Sequence, residues 1–135
     1  MRIDILLDTN RFNLSETKPH FINEGCFGED FAQWLRQRLS LEGVSVEDEW
    51  QEDWGWQMGA AVGMTNYLIG VSGMVDDSSK DPNQGEWRIM IEKQRSLLEK
   101  VLGKNKMDSH DEMVARVRKL ALHEDSFANL RVEAI

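Results

Sequence analysis

The stretch "VEDEWQEDWGWQM", residues 46–58, contains three tryptophans and five carboxylates but no lysine or arginine. Counted from Val44, apolar side chains occupy mostly the even positions and polar side chains the odd ones. Only Asp48 and Glu52 interrupt this alternation. A period of two residues is typical of a β-strand with one dry face and one wet face.

This segment is too long for one regular strand, since strands usually run for about five or six residues. We therefore expect a bend or bulge between Asp48 and Asp53. Beyond the bend, Trp54, Trp56 and Met58 share one parity, so we expect all three to face a core beneath the first helix.

The rest of the chain predicts a succession of strands and helices. Apolar side chains at three- and four-residue steps predict a first helix from Phe27 to about Leu39, which ends by Gly43. A "SHDE" capping box at Ser109 to Glu112 begins another. Further elements are predicted as strands at 2–7, 67–75, 86–93 and 129–135, a short extended piece at 11–14 and a short helix at 94–103.

Consecutive strands with helices before and after them are typical of an α+β fold. We predict a two-layer sandwich with a largely antiparallel sheet of about four or five strands and helices packed on one face. Residues 1–135 are expected to form a single domain, since no long linker divides them.

Charge is distributed unevenly along the chain, whose formal net charge is −8. Residues 1–87 carry 6 basic and 16 acidic side chains, whereas residues 88–119 carry 9 basic and 5 acidic ones. An acidic surface repels phosphate backbones, so we expect no nucleic-acid partner. No apolar run reaches the length of a membrane span, and we expect no membrane role.

The single cysteine, Cys26, excludes an intrachain disulfide and a cysteine-rich zinc site. The three histidines lack metal-binding spacing, so we predict neither a metal nor a cofactor. An acidic residue near the start argues against a secretory leader. We expect a cytoplasmic protein of bacterial type.

Two segments together resemble a pattern found in small bacterial proteins of unassigned activity. They are "PHFINEGCFGEDFAQWL", residues 19–35, and "QEDWGW", residues 51–56. The resemblance covers about the first half of the chain. It implies one intact domain and no particular chemistry.

Cys26 and His20 are the candidate catalytic residues, although we expect no catalysis from them. Cys26 lies between Gly25 and Gly28 ahead of a helix, where backbone amides can stabilise a thiolate, and His20 could act as its base. Free cysteine is more often a small buried apolar residue. Nearby carboxylates would also raise the pKa of the thiol and oppose its activation.

The favoured hypothesis is a non-catalytic acidic domain that binds and masks a basic protein partner, as immunity proteins and antitoxins do. Its predicted binding residues form the acidic strip around an exposed tryptophan: Glu47, Glu49, Trp50, Glu52 and Asp53.

The alternative is a small-molecule-binding domain or enzyme with a pocket between helix and sheet. Cys26, His20, Trp54 and Tyr67 would line it. A third reading is a subunit that forms a homodimer through an apolar patch.

Overall fold

The computed structural model describes residues 2–135, which form three helices and a seven-stranded antiparallel sheet. In chain order the elements are β1 (Ile3–Thr9), α1 (Glu29–Leu41), β2 (Ser45–Val46), β3 (Trp50–Glu52), β4 (Gly55–Val62), β5 (Thr65–Val75), β6 (Gly85–Lys93), α2 (Leu97–Leu102), α3 (Glu112–Leu122) and β7 (Ala128–Ala134). The α+β prediction is confirmed, and the sheet has more strands than expected.

The strand order is β2-β4-β5-β6-β1-β7, and β3 pairs with β4 at the same edge as β2. Strands β4, β5 and β6 follow one another as hairpins, so their pairing is local in sequence. The first strand, β1, then lies between β6 and the last strand, so that Ile5 pairs with both Ile89 and Val132. This insertion joins the two ends of the described chain in one sheet.

Helices α1 and α3 cover one face of the sheet. Phe31, Leu35 and Leu39 of α1 are fully buried, as are Met113 and Val117 of α3. They meet an apolar row on the strands: Ile3, Ile5, Leu7, Trp56, Met58, Ile69, Val71, Trp87, Ile89 and Ile91. No residue of α2 is buried. The core therefore forms one layer between the sheet and two helices.

The prediction of one bent strand from Val44 to Met58 is wrong. This segment contains β2, β3 and the first half of β4. The chain reverses at a tight turn, Asp53 and Trp54, and β3 pairs antiparallel with β4. The reversal directs the Trp54 ring away from the helices. Trp54 is 41% exposed and Trp56 only 5% exposed, so Trp56 and Met58 face the core as predicted and Trp54 does not.

Two further local predictions need correction. The side chain that caps α3 is Asp111, which accepts bonds from the amides of Met113 and Val114, and not Ser109. A capping box is present instead at Ser96 and Glu99, where it begins α2. Residues 11–14 form bends and no strand. None of the helices in residues 2–135 has the length and apolar character needed to cross a bilayer.

Candidate functional site

The face of the sheet opposite α1 and α3 is the main uncovered surface of the fold. We call it the open face. At its centre lie small or apolar side chains on three adjacent strands: Gly59 and Ala61 on β4, Leu68 and Gly70 on β5, and Met90 on β6. These small residues leave room above the sheet, so the open face is concave between its bulkier neighbours. The side chains of Glu47 and Trp54 lie over Gly59 and Gly70, which are buried.

Trp54 forms one wall of this concavity because Gly70 leaves room for its ring. A Cβ atom added at Gly70 would lie 2.6 Å from Cη2 of Trp54. The indole lines a cavity of about 390 Å³, together with Leu68, Met90 and Glu92 among others. An aromatic ring that is half in solvent and rests on backbone is a typical binding element.

A second cavity of about 400 Å³ adjoins the first, and Leu68 lines both. Its walls include Glu47 and Trp50. The Glu47 carboxylate lies over Gly59, where any Cβ would collide with it. Trp50 is 39% exposed, and its Nε1–H donates to Glu52 Oε1 at 2.9 Å. We call these two neighbouring cavities together the open-face groove.

Positive charge at one end of the groove is already neutralised. Arg2 and Arg88 both bind the fully buried carboxylate of Asp4, at 2.7 and 2.5 Å, and Arg88 also approaches Glu133 at 3.3 Å. The hydrogen bond from Arg88 to Asp4 raises the pKa of the guanidinium above its usual value, so it stays charged. These arginines are thus committed to pairs within the chain.

Negative charge around the groove is not neutralised in this way. Within residues 2–135, no cationic side chain forms an ion pair with Glu47, Glu52, Asp53 or Glu92. Exposed carboxylates without partners create a negative potential that attracts cations. These four carboxylates therefore carry negative charge that no ion pair within residues 2–135 offsets.

The acidic strip is divided between the groove and α1. Glu47 and Trp50 line the groove, and Glu52 and Asp53 lie beside them on the hairpin. Glu49 is different, because its carboxylate is only 11% exposed and binds Arg36 of α1 at 2.9 Å. Asp48 also binds Arg36, at 3.1 Å. These two acids fasten the β2–β3 loop to the helix.

Cys26 and His20 lie near each other in sequence but engage different partners. The Cys26 thiol donates to the carbonyl of Asp53 at 3.1 Å, and His20 Nε2 lies 2.7 Å from Glu29. Among the hydrogen bonds of residues 2–135, none joins His20 to Cys26. The geometry shows neither an assembled nucleophile and base nor a thiol beside a cation.

The loop around Cys26 has a clear packing role instead. The Cys26 carbonyl accepts from Trp56 Nε1 at 2.9 Å and from the Gln51 side chain at 3.2 Å. Gly28 has φ of +133°, and a Cβ there would lie 2.9 Å from Cγ2 of Val71. This loop holds the β3–β4 hairpin against the sheet.

The four residues proposed to line a helix–sheet pocket are not brought together. Trp54 lies on the open face, whereas Tyr67 is buried on the helix side, where its hydroxyl donates to Asp111 at 3.0 Å. Across residues 2–135, no group of three or more histidine, cysteine or acidic side chains is arranged to hold a metal ion.

Sequence reasoning missed the floor of the groove and the outward position of Trp54. A signal for the floor was present, since glycines within strands often mark a close approach of another group. Gly59 and Gly70 are such positions. That they belong to one surface follows only from the register of β4 and β5.

Comparison of the chain with protein-family models, with curated proteins and with solved structures finds no match.

Proposed function

We propose that this chain is a non-catalytic interaction domain that binds a basic protein partner in the open-face groove. One observation carries the proposal: two exposed indoles, Trp50 and Trp54, flank an uncovered sheet face whose neighbouring carboxylates lack ion-pair partners. The acidic domains that mask basic toxins are one class to which such a surface belongs.

The two tryptophans would supply most of the affinity. Partly exposed tryptophan is enriched among residues that dominate binding energies, because it covers a large area with few rotatable bonds. An indole face also attracts the guanidinium or ammonium group of a partner. Trp50 and Trp54 are thus the expected anchors.

The carboxylates would supply steering and selectivity. Glu47 and Glu92 line the groove and Asp53 precedes Trp54 on the hairpin turn, so a partner with spaced arginines or lysines would meet complementary charge there. Complementary charge mainly raises the association rate and excludes acidic competitors. Glu49 is not part of this surface, because Arg36 already holds it.

The alternative, a small-molecule or catalytic pocket around Cys26 and His20, gains no comparable support. The Cys26 thiol bonds to the β3–β4 turn, and His20 bonds to Glu29 at the start of α1. Neither residue lines either half of the open-face groove.

A defined peptide tests the proposal. The probe is a capped octapeptide in which arginine alternates with threonine, and the same peptide with glutamate in place of arginine is the control. We expect the intrinsic tryptophan emission to change on binding of the arginine peptide only, with an affinity that falls as salt is added. Equal binding of both peptides would contradict a charge-selective groove.

Two matched double variants locate the site. Glu47→Gln with Asp53→Asn removes two charges beside the groove, whereas Asp77→Asn with Asp125→Asn removes two exposed charges elsewhere. We expect the first pair to raise the Kd about five- to tenfold and the second by less than about twofold, because screening limits distant charges. Equal losses in both pairs would show that only net charge matters and that the groove is not the site.

A further inference from the structure

The last strand, β7, is an edge strand whose outer side has no partner in residues 2–135. All its residues except Leu130 are exposed. Edges of this kind are usually protected by charged side chains, lysine above all, by proline, by a bulge or by a helical cover. The strand sequence "ANLRVEA" contains neither lysine nor proline, its two charges are opposite in sign, and its pairing with β1 is irregular only between Leu6 and Asp8.

The hydrogen-bond pattern tells which backbone groups of β7 point outward. The Ile135 amide donates to the Arg2 carbonyl at 2.8 Å, and the Arg2 amide donates to the Ile135 carbonyl at 3.3 Å. In an antiparallel ladder such pairs alternate along the strand. Glu133 and Arg131 therefore also bond inward to β1, and the amides and carbonyls of Leu130, Val132 and Ala134 face outward.

The same strand is complementary to itself about Val132. If a second copy of β7 is placed antiparallel with Val132 opposite Val132, the outward backbone groups of both copies meet as hydrogen-bonded pairs. Arg131 then lies opposite Glu133 of the second copy, and Leu130 lies opposite its Ala134. Within each copy Arg131 also binds Glu86, and Glu133 lies 3.3 Å from Arg88, so the pairs across the axis would extend an existing row of alternating charges. Both charges project on the open face, since Arg131 pairs with Leu6 and Glu133 with Asp4.

We propose that β7 is a homodimer interface, in which two copies pair through this strand and continue one sheet across the two-fold axis. Opposite charges placed directly across a strand pair stabilise it, and like charges destabilise it. The inference is independent of the proposed function, because β1 lies between β7 and the strands of the groove, β4, β5 and β6.

The backbone of the interface is tested by Val132→Pro. The substitution removes an amide that points outward and leaves the ladder to β1 intact, a position at which an edge strand tolerates proline. Val132→Thr keeps the amide and is the matched control. In sedimentation equilibrium we expect the wild type and Val132→Thr to form a concentration-dependent dimer and Val132→Pro to be monomeric with an unchanged circular dichroism spectrum. A wild-type protein that stays monomeric at all concentrations would overturn the proposal.

The register is tested by charge reversal. Arg131→Glu alone places glutamate opposite glutamate, and Glu133→Arg alone places arginine opposite arginine, so each should weaken self-association about tenfold. A mixture of the two single variants restores both opposite-charge pairs and should form a mixed dimer. Self-association of either variant that equals the wild type, or a mixture no more associated than its components, would overturn the register about Val132.

Discussion

Removal of the small Asp111 side chain should cause a large loss of folding stability. Its carboxylate is buried and has three kinds of partner. It caps α3 by accepting from the amides of Met113 and Val114, it accepts from the Tyr67 hydroxyl at 3.0 Å, and it binds Lys93 at 2.9 Å. One residue thus joins the start of a helix to two central strands.

The expected magnitude for Asp111→Ala follows from these contacts. Loss of a helix cap costs about 1 kcal/mol. A buried hydroxyl left without an acceptor costs about 1–3 kcal/mol. The Lys93 side chain is only 15% exposed, and without Asp111 its buried ammonium group would have no counter-charge. This third cost brings the expected total loss of stability to about 4 kcal/mol. Asp111→Asn keeps one oxygen that can still cap α3, but it places an NH2 group where Tyr67 and Lys93 donate, so we expect it to lose about 2–3 kcal/mol.

Urea unfolding followed by far-ultraviolet circular dichroism measures these differences in the free energy of unfolding. The comparison requires that the slope of that free energy against urea concentration is the same in every variant. Asp77→Ala is the control, because this exposed side chain forms no ion pair or side-chain hydrogen bond in residues 2–135, and its effect should stay within about 0.5 kcal/mol. The reasoning is refuted if Asp111→Ala lies within about 1 kcal/mol of the wild type. Equal losses for the alanine and asparagine variants would refute the role assigned to the cap.

Three further predictions concern single side chains. Burial and the neighbouring Asp111 raise the pKa of Tyr67, the one tyrosine of the chain, so folding favours the neutral hydroxyl. The stability that depends on this neutral form is complete below the unfolded-state pKa of about 10 and is lost as the pH rises above that value. Tyrosinate absorbance should therefore appear only as the protein unfolds in alkali, and a titration near the ordinary pKa in folded protein would contradict this. Within residues 2–135 the Cys26 thiol bonds to the Asp53 carbonyl and to no cation or base, so it should react with a disulfide reagent no faster than free cysteine. Faster labelling at neutral pH would restore it as a candidate nucleophile. Gly70→Ala should displace the ring of Trp54 into solvent and shift the tryptophan emission to longer wavelength, with little loss of stability. An unchanged emission spectrum would show that the Trp54 ring does not lie on Gly70.

The sequence predicted most of the helices and strands because their signals are local. Apolar spacing located α1, and alternation located β5 and β6. The turn at Asp53 and Trp54 could not be read in the same way. Trp54 and Trp56 have the same parity, and only the pairing of β3 with β4 shows that the chain reverses before Trp56.

The candidate site was only partly predictable, for a related reason. The acidic strip was evident, but charge alone could not tell that Glu49 is held by Arg36 while Glu47 is without such a partner. The floor of the groove comes from β4, β5 and β6, and their shared surface depends on strand register. Contacts between distant segments therefore decide which acids are available to a partner.

The most direct test of the open-face groove is a nuclear magnetic resonance titration of the labelled protein with the arginine–threonine octapeptide. The chain has five tryptophans, and each gives one indole N–H signal. We predict saturable shifts for Trp50 and Trp54, with much smaller ones for Trp34, Trp56 and Trp87, which are buried on the helix side. Shifts confined to the buried indoles, or no shift at Trp50 and Trp54 while the peptide binds, would contradict the account.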